Sequence, residues 1–342
     1  GITMKKARII VIAMAVLMVF AAVSCKEPHV HSYGAPEVKD GEVVQVCECG
    51  DTIKVENAVA VGTEEALKNA VKGDSKAIYL SDNVSLSEAL TIDGGKKLTL
   101  NLNGKALINI AGTGIVVSGD KTELTIDGEG EVVAKGSAVQ AIEEGTVVVN
   151  SGKYSGTFAV AAGKIFTDEN NKITGTTNGH VVINDGEFNS TEFFVPVWAK
   201  SSAVINGGVF TATDNAVIGT NGSSELTTLP YEITVNGGTF NGKITSTGYI
   251  ACGIYACNVG KVTLNGGVFN IVDGVGVLVR SGEIIAKAVE INLTEEKVEL
   301  KKGGVGDSKV MVSKGAEIVL DKVSDYPGSK LENGVPKISV ND

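Results

Sequence analysis

Apolar and polar positions alternate along this chain over stretches of four or five residues, and one phrase closes stretch after stretch. An apolar run rich in β-branched residues leads into Asn, a Gly follows within two residues, and an aromatic stands four residues after the Asn. The copies are VVVNSGKY at Asn150, VVINDGEF at Asn184, AVINGGVF at Asn206, ITVNGGTF at Asn236 and VTLNGGVF at Asn265, with fainter ones at Asn103 and Asp127. The intervals are 24, 23, 34, 22, 30 and 29 residues. Self-similarity at this period is the mark of a solenoid, in which one repeat cannot bury its own apolar face and stacking completes the core.

A second apolar run precedes each Asn, as in Gly114-Ile-Val-Val, Ala138-Val-Gln-Ala and Gly253-Ile-Tyr-Ala. Each repeat therefore reads as strand, turn, Asn-terminated strand, and a third strand beginning at the aromatic. Over residues 57–320 this pattern resembles the right-handed parallel β-helix of the pectin-lyase-like superfamily. The expected fold is all-β, a right-handed parallel β-helix solenoid with a short N-terminal capping helix. Neighbouring rungs stack about 4.8 Å apart. Tyr154, Phe188, Phe210, Phe240 and Phe269 are then expected to form an aromatic column, and Asn150, Asn184, Asn206, Asn236 and Asn265 an amide ladder. Asn tolerates a left-handed backbone, so these residues are also expected to make the bend itself. Lys153 and Glu187 share a register and are expected to pair. Thr63-Glu64-Glu65-Ala66-Leu67-Lys68-Asn69-Ala70-Val71 has an N-cap residue, two acids in the first turn and one apolar stripe, and is expected to close the open end of the stack.

The chain opens differently. Basic Met4-Lys5-Lys6-Ala7-Arg8 precedes an uncharged run from Ile9 to Val23, short for a membrane span and suited to a signal peptide. Ala22-Val23-Ser24-Cys25 then resembles the bacterial lipobox, which implies a leader over residues 4–24 and lipid attachment at Cys25. An ordinary signal peptide with an incidental Cys is the other reading of the same segment. The expected location is the cell envelope, lipid-anchored and extracytoplasmic, on the outer surface. Losing Lys5, Lys6 and Arg8 with the leader takes the formal charge from −10 to −13 and leaves Arg280 as the one Arg. That balance argues against nucleic acid as a partner.

Residues 25–56 read as a tether and 57–342 as the β-helix with an irregular C-terminal cap. The tether carries His29-Val-His31 and Cys47-Glu-Cys49, ligand types that suit a structural Zn²⁺ across a hairpin. It is similar to small modules of bacterial surface proteins that pair a Cys-x-His half with a Cys-x-x-Cys-Gly half; here His29 stands for the Cys and the second pair has one spacer. A disulfide or an unstructured tether are the alternatives.

The chain shows no Asp-Asp pair and no Gly-His-Gly, and its rung acids Asp127, Asp185, Glu187, Asp214 and Asp273 are scattered. His180 reads as a solitary turn histidine. Asp185, Glu187 and Arg280 are three to four rungs apart, about 15–20 Å at 4.8 Å per rung, which is too far for concerted chemistry. No catalytic residue is assigned. Trp198, the one Trp, reads as core before it reads as a sugar platform. Cys252 and Cys257 read as two unpaired thiols. Insertions in the long intervals, Phe166–Gly179 and Asn221–Pro230, are where a solenoid builds a binding face. The expected function is a monomeric surface lipoprotein with a non-catalytic binding or adhesion scaffold for a carbohydrate or surface protein. The alternative is a polysaccharide lyase or glycoside hydrolase of the same superfamily.

Overall fold

The computed structural model describes residues 30–191, 195–213, 216–220, 229–243, 252–256, 259–272, 275–279, 283–286, 289–294, 308–312, 316–320, 331–332 and 335–340. The leader, Cys25 and His29 lie outside them, as do Asp214, Cys257, Asp273 and Arg280. The chain divides into two compact units, residues up to 37 with 44–54, and residues 38–43 with 55–342.

The larger unit is a parallel β-helix. One long sheet has twelve strands, running from Ala58–Val61 to Val335–Val340 and edged by Leu331–Glu332. Its pairings are parallel except at that edge, where Leu331–Glu332 meets Val335–Val340 antiparallel. A second sheet stacks nine parallel strands, from Val84–Ser85 to Glu290–Thr294. A third face is split into a four-stranded sheet ending at Phe158–Ala162 and a six-stranded sheet beginning at Val195–Pro196. Among the described residues a parallel bridge, Ala162 to Val197, joins the two parts.

Alternation explains which residues face inward. In Glu123–Asp127, Leu124 and Ile126 are buried while Glu123, Thr125 and Asp127 are half-exposed. Inward residues of all three faces merge into one core cluster. In the second sheet one inward column reads Val84, Leu107, Val132, Tyr154, Phe188, Phe210, Phe240, Phe269 and Ile291. Its five rings stack nearly parallel, with centroids 5.1, 4.6, 4.8 and 4.5 Å apart. Tyr154 satisfies its hydroxyl by donating to the Ser151 carbonyl at 2.7 Å, and burial pushes its pKa up.

The asparagines form the amide ladder. Each Nδ2 donates to the Oδ1 of the rung before: Asn184 to Asn150, Asn206 to Asn184 and Asn236 to Asn206, each at 2.8 Å, and Asn265 to Asn236 at 2.9 Å. Their backbones, however, are not left-handed. The positive φ falls two residues later, at Gly152, Gly186, Gly208, Gly238 and Gly267, with values from 99° to 129°. A Cβ at Gly208 would also lie 3.1 Å from the Gly186 carbonyl oxygen and from the rings of Phe188 and Phe210. The glycine makes the bend, and the Asn ties successive bends together.

The helix Glu64–Lys72 caps the first rungs. The Thr63 hydroxyl accepts from the Ala66 N–H at 3.2 Å, and Leu67 and Val71 are buried. Glu64 is fixed by Lys68 at 2.9 Å and by the N–H and hydroxyl of Ser87 at 2.9 and 2.7 Å. Lys96, three strands on, donates to the carbonyls of Val71 and Gly73 at the helix C-terminus, where cations are favoured.

The long interval before Asn184 holds regular structure. Lys164–Thr167 and Ile173–Thr177 pair antiparallel as a hairpin that leaves the stack where the third face is interrupted. In the smaller unit Val44, Gln45 and Val46 pair antiparallel with Lys54, Ile53 and Thr52. Among the unit's described residues only Val44 and Cys47 are buried.

Candidate functional site

The smaller unit gathers His31, Cys47 and Cys49. Tyr33 bridges Cys47 in antiparallel fashion, and the Gly34 N–H donates to Val46 at 3.0 Å. This lays the His31 segment beside the cysteine strand. Cys47 to Gly50 then turns tightly: the Gly50 N–H donates to the Cys47 carbonyl, and the Cys47 N–H to the Asp51 carbonyl, both at 2.8 Å. Gly50 supplies the left-handed residue, with φ of 87°. The turn brings both thiols to one spot, where the ligand atoms of His31, Cys47 and Cys49 all lie within 4.8 Å of one another. His31 Nδ1 is 3.4 Å from Cys49 Sγ and 3.6 Å from Asp51 Oδ2. The Tyr33 hydroxyl donates to that same Oδ2 at 2.6 Å, and the Tyr33 ring stacks on His31 with centroids 5.7 Å apart.

The two thiols diverge in acidity. The backbone and thiol of Cys49 hydrogen-bond to Cys47 and lower its pKa to about 6, with a smaller contribution from His31. Cys49 is raised, chiefly because its thiol is the donor to Cys47. Tyr33 is raised to about 12 by its bond to Asp51, so it stays a donor. Two thiols, an imidazole and a carboxylate form a donor set suited to Zn²⁺.

On the β-helix, the outer face of the second sheet carries one uncharged polar column. Ser155, Asn189, Thr211, Asn241, Asn270 and Asn292 occupy one register on successive rungs. The last three form a second amide ladder, Asn270 to Asn241 and Asn292 to Asn270, each at 3.0 Å. At the earlier rungs this face opens into a groove of about 570 Å³, lined in part by Lys135, Ser155, Thr157, Asn189, Thr191 and Thr211, with no carboxylate among its described lining residues. The expected Lys153–Glu187 pair forms at the other edge of the same strands, at 3.0 Å.

His180 is not solitary. Its Nδ1 lies 2.8 Å from the Ser202 hydroxyl on the next rung, and its Nε2 lies 3.1 Å from Glu144 in the preceding turn. The Asn178 amide, and then His180, hold Glu144 below its usual range. The order Ser, His, acid imitates a nucleophilic triad. The backbone N–H groups of His180 and Ser202, however, are given to Gly145 and Gly179 of the previous rung. They are therefore not aimed at a developing oxyanion, which acyl transfer needs. Trp198 is 5% exposed and meets Phe158 edge-on at 6.1 Å, so its ring faces are not a sugar platform. Cys252 is fully buried, and desolvation pushes its pKa up.

Comparison of the chain with protein-family models, curated proteins and solved structures finds no match in any of the three. Among the described residues no helix is long and apolar enough to cross a membrane.

Proposed function

We propose that the chain is a non-catalytic binding scaffold of the bacterial cell envelope, lipid-anchored at Cys25, and that the outer face of the second sheet takes a neutral glycan. The groove carries this reading. Its hydroxyls and amides repeat on adjacent rungs, matching the donors and acceptors that repeat along a polysaccharide. Among the described residues its lining includes Lys135 and no carboxylate. Glycosidases need a pair of carboxylates astride the scissile bond, so this lining favours binding over cleavage. The likeness of the repeat pattern to the pectin-lyase-like superfamily supports a glycan as the partner class.

The test is calorimetric titration of soluble neutral polysaccharides (a mannan, a xylan and a dextran) against the chain and against Asn189→Ala and Thr211→Val. Each lost hydrogen bond is worth about 1–1.5 kcal/mol, so each variant is expected to bind about fivefold to tenfold more weakly. Absence of binding to all three, or release of oligosaccharides from an acidic glycan by the unaltered chain, refutes the reading.

A further inference from the structure

We propose that the smaller unit is a zinc-held hairpin in which His31, Cys47, Cys49 and Asp51 are the four ligands, with Asp51 in the place that the sequence pattern offers to His29. The proposal is independent of the glycan surface.

Ligand spacing is the first argument. At Zn–S near 2.3 Å and Zn–N or Zn–O near 2.0 Å, a tetrahedral ion holds a sulfur and a nitrogen about 3.6 Å apart, and a nitrogen and an oxygen about 3.3 Å apart. Cys49 Sγ and His31 Nδ1 are 3.4 Å apart, and His31 Nδ1 and Asp51 Oδ2 are 3.6 Å apart. Cys47 Sγ lies within 4.8 Å of the ligand atoms of His31 and Cys49. His31, Cys47 and Cys49 thus stand close enough for a single ion, and Asp51 joins them through its approach to His31.

The chain's local geometry is the second. One spacer between two cysteines gives a tighter bite than two, yet the turn closed by Gly50 brings both sulfurs together, and Asp51, just past it, lies 3.6 Å from His31. Tyr33 donates to Asp51 and stacks on His31, which orients one ligand by a hydrogen bond and another by packing. Outer-sphere partners of this kind orient metal ligands and stop them from turning to water.

Stability is the third. The unit buries Val44 and Cys47 among its described residues and has no other apolar interior there. A segment of this size does not hold one conformation by burial alone, and a structural metal is a common substitute for a core. Four protein ligands leave no open position for substrate, so the site is structural and its binding energy is folding energy.

The test uses the full chain, purified with reduced thiols and stripped by a chelator, then titrated with Co²⁺ and afterwards with Zn²⁺. The expected result is one tightly bound Co²⁺ with a thiolate-to-metal absorption band and tetrahedral visible bands, all displaced by Zn²⁺. Cys49→Ser should weaken the thiolate band, and Asp51→Asn should weaken metal affinity by about tenfold or more, while His29→Ala should leave it unchanged. On metal removal, hydrogen exchange should rise at the N–H groups of Cys47 and Gly50, while the far-ultraviolet dichroism of the β-helix stays constant. A reduced chain that takes up no Co²⁺ overturns the proposal. So does His29→Ala abolishing binding while Asp51→Asn does not.

Discussion

Asn206 sits at the centre of the amide ladder, and its replacement separates what the ladder contributes from what the bend contributes. Its Nδ2 donates to Asn184 and its Oδ1 accepts from Asn236, both at 2.8 Å. Asn206→Ala removes both bonds. The site is open to water, so each is worth the lower part of the usual range, and the loss is about 1–2 kcal/mol at every pH. Asn206→Asp behaves differently. The introduced group keeps an acceptor for Asn236. When neutral it also donates to Asn184 Oδ1, and when ionised it sets a negative oxygen against that carbonyl. The folded state therefore prefers the protonated form, and the folded pKa lies above the unfolded one. Stability relative to the wild type is retained below about pH 4, near the ordinary carboxylate value, and falls as pH rises through the folded pKa. The fall amounts to about 1–2 kcal/mol, because folded and unfolded pKa values that differ by one correspond to about 1.4 kcal/mol. Urea denaturation followed by far-ultraviolet dichroism at pH 4 and pH 7 reads it directly. A deficit in Asn206→Asp that is equal at the two pH values would refute the reasoning.

Two further expectations concern the ends of the chain. Lys68, then Ser87, hold the Glu64 pKa near 2 from an ordinary 4.5, so Glu64 stabilises the capping helix above about pH 4.5 and loses that effect as pH falls toward about 2. The denaturation midpoints of wild type and Glu64→Gln should therefore differ at pH 6 and converge at pH 2, and a constant difference would count against the contact. Cys25→Ser should abolish incorporation of a labelled fatty acid and release the protein from the membrane fraction; continued labelling would place the anchor elsewhere.

Stacking is legible in the sequence because its signal is local. The aromatic four residues after each Asn and the Gly two residues after it stand out as columns before any coordinate is known. The division of labour within the phrase does not. Asn and Gly both tolerate left-handed backbone, and only the φ angles assign the bend to Gly208 and its equivalents. The second ladder begins one residue beyond the aromatic that closes the phrase, where Asn241 and Asn270 each follow an Asn of the first ladder by five residues. The partners of His180 lie 36 and 22 residues away, and register, not spacing, brings them together. The interval Phe166–Gly179 reads as loop because its Thr, Asn and Gly content outweighs the short alternation of Lys164–Thr167; pairing with Ile173–Thr177 makes it a hairpin. Asp51 gives no signal, since one acid after a Cys is common, and only the turn at Gly50 carries it to His31.

The split in the third face has a mechanical consequence. A solenoid's cohesion is a sum of nearest-neighbour interfaces, one per pair of rungs. Between the rungs of Asn150 and Asn184, two faces continue in full register, Thr146 to His180 and Lys153 to Glu187, while on the third the described residues pair through the bridge at Ala162 and Val197. Among the described residues the regular ladder of the third face is broken there, while the sheets on either side of the break pair in parallel register. Under a pulling force or in mild denaturant the β-helix should part there first, into an N-terminal block capped by the helix and a C-terminal block holding most of the aromatic stack. The hairpin at Lys164–Thr167 thus marks the boundary between two cooperative units within one continuous core.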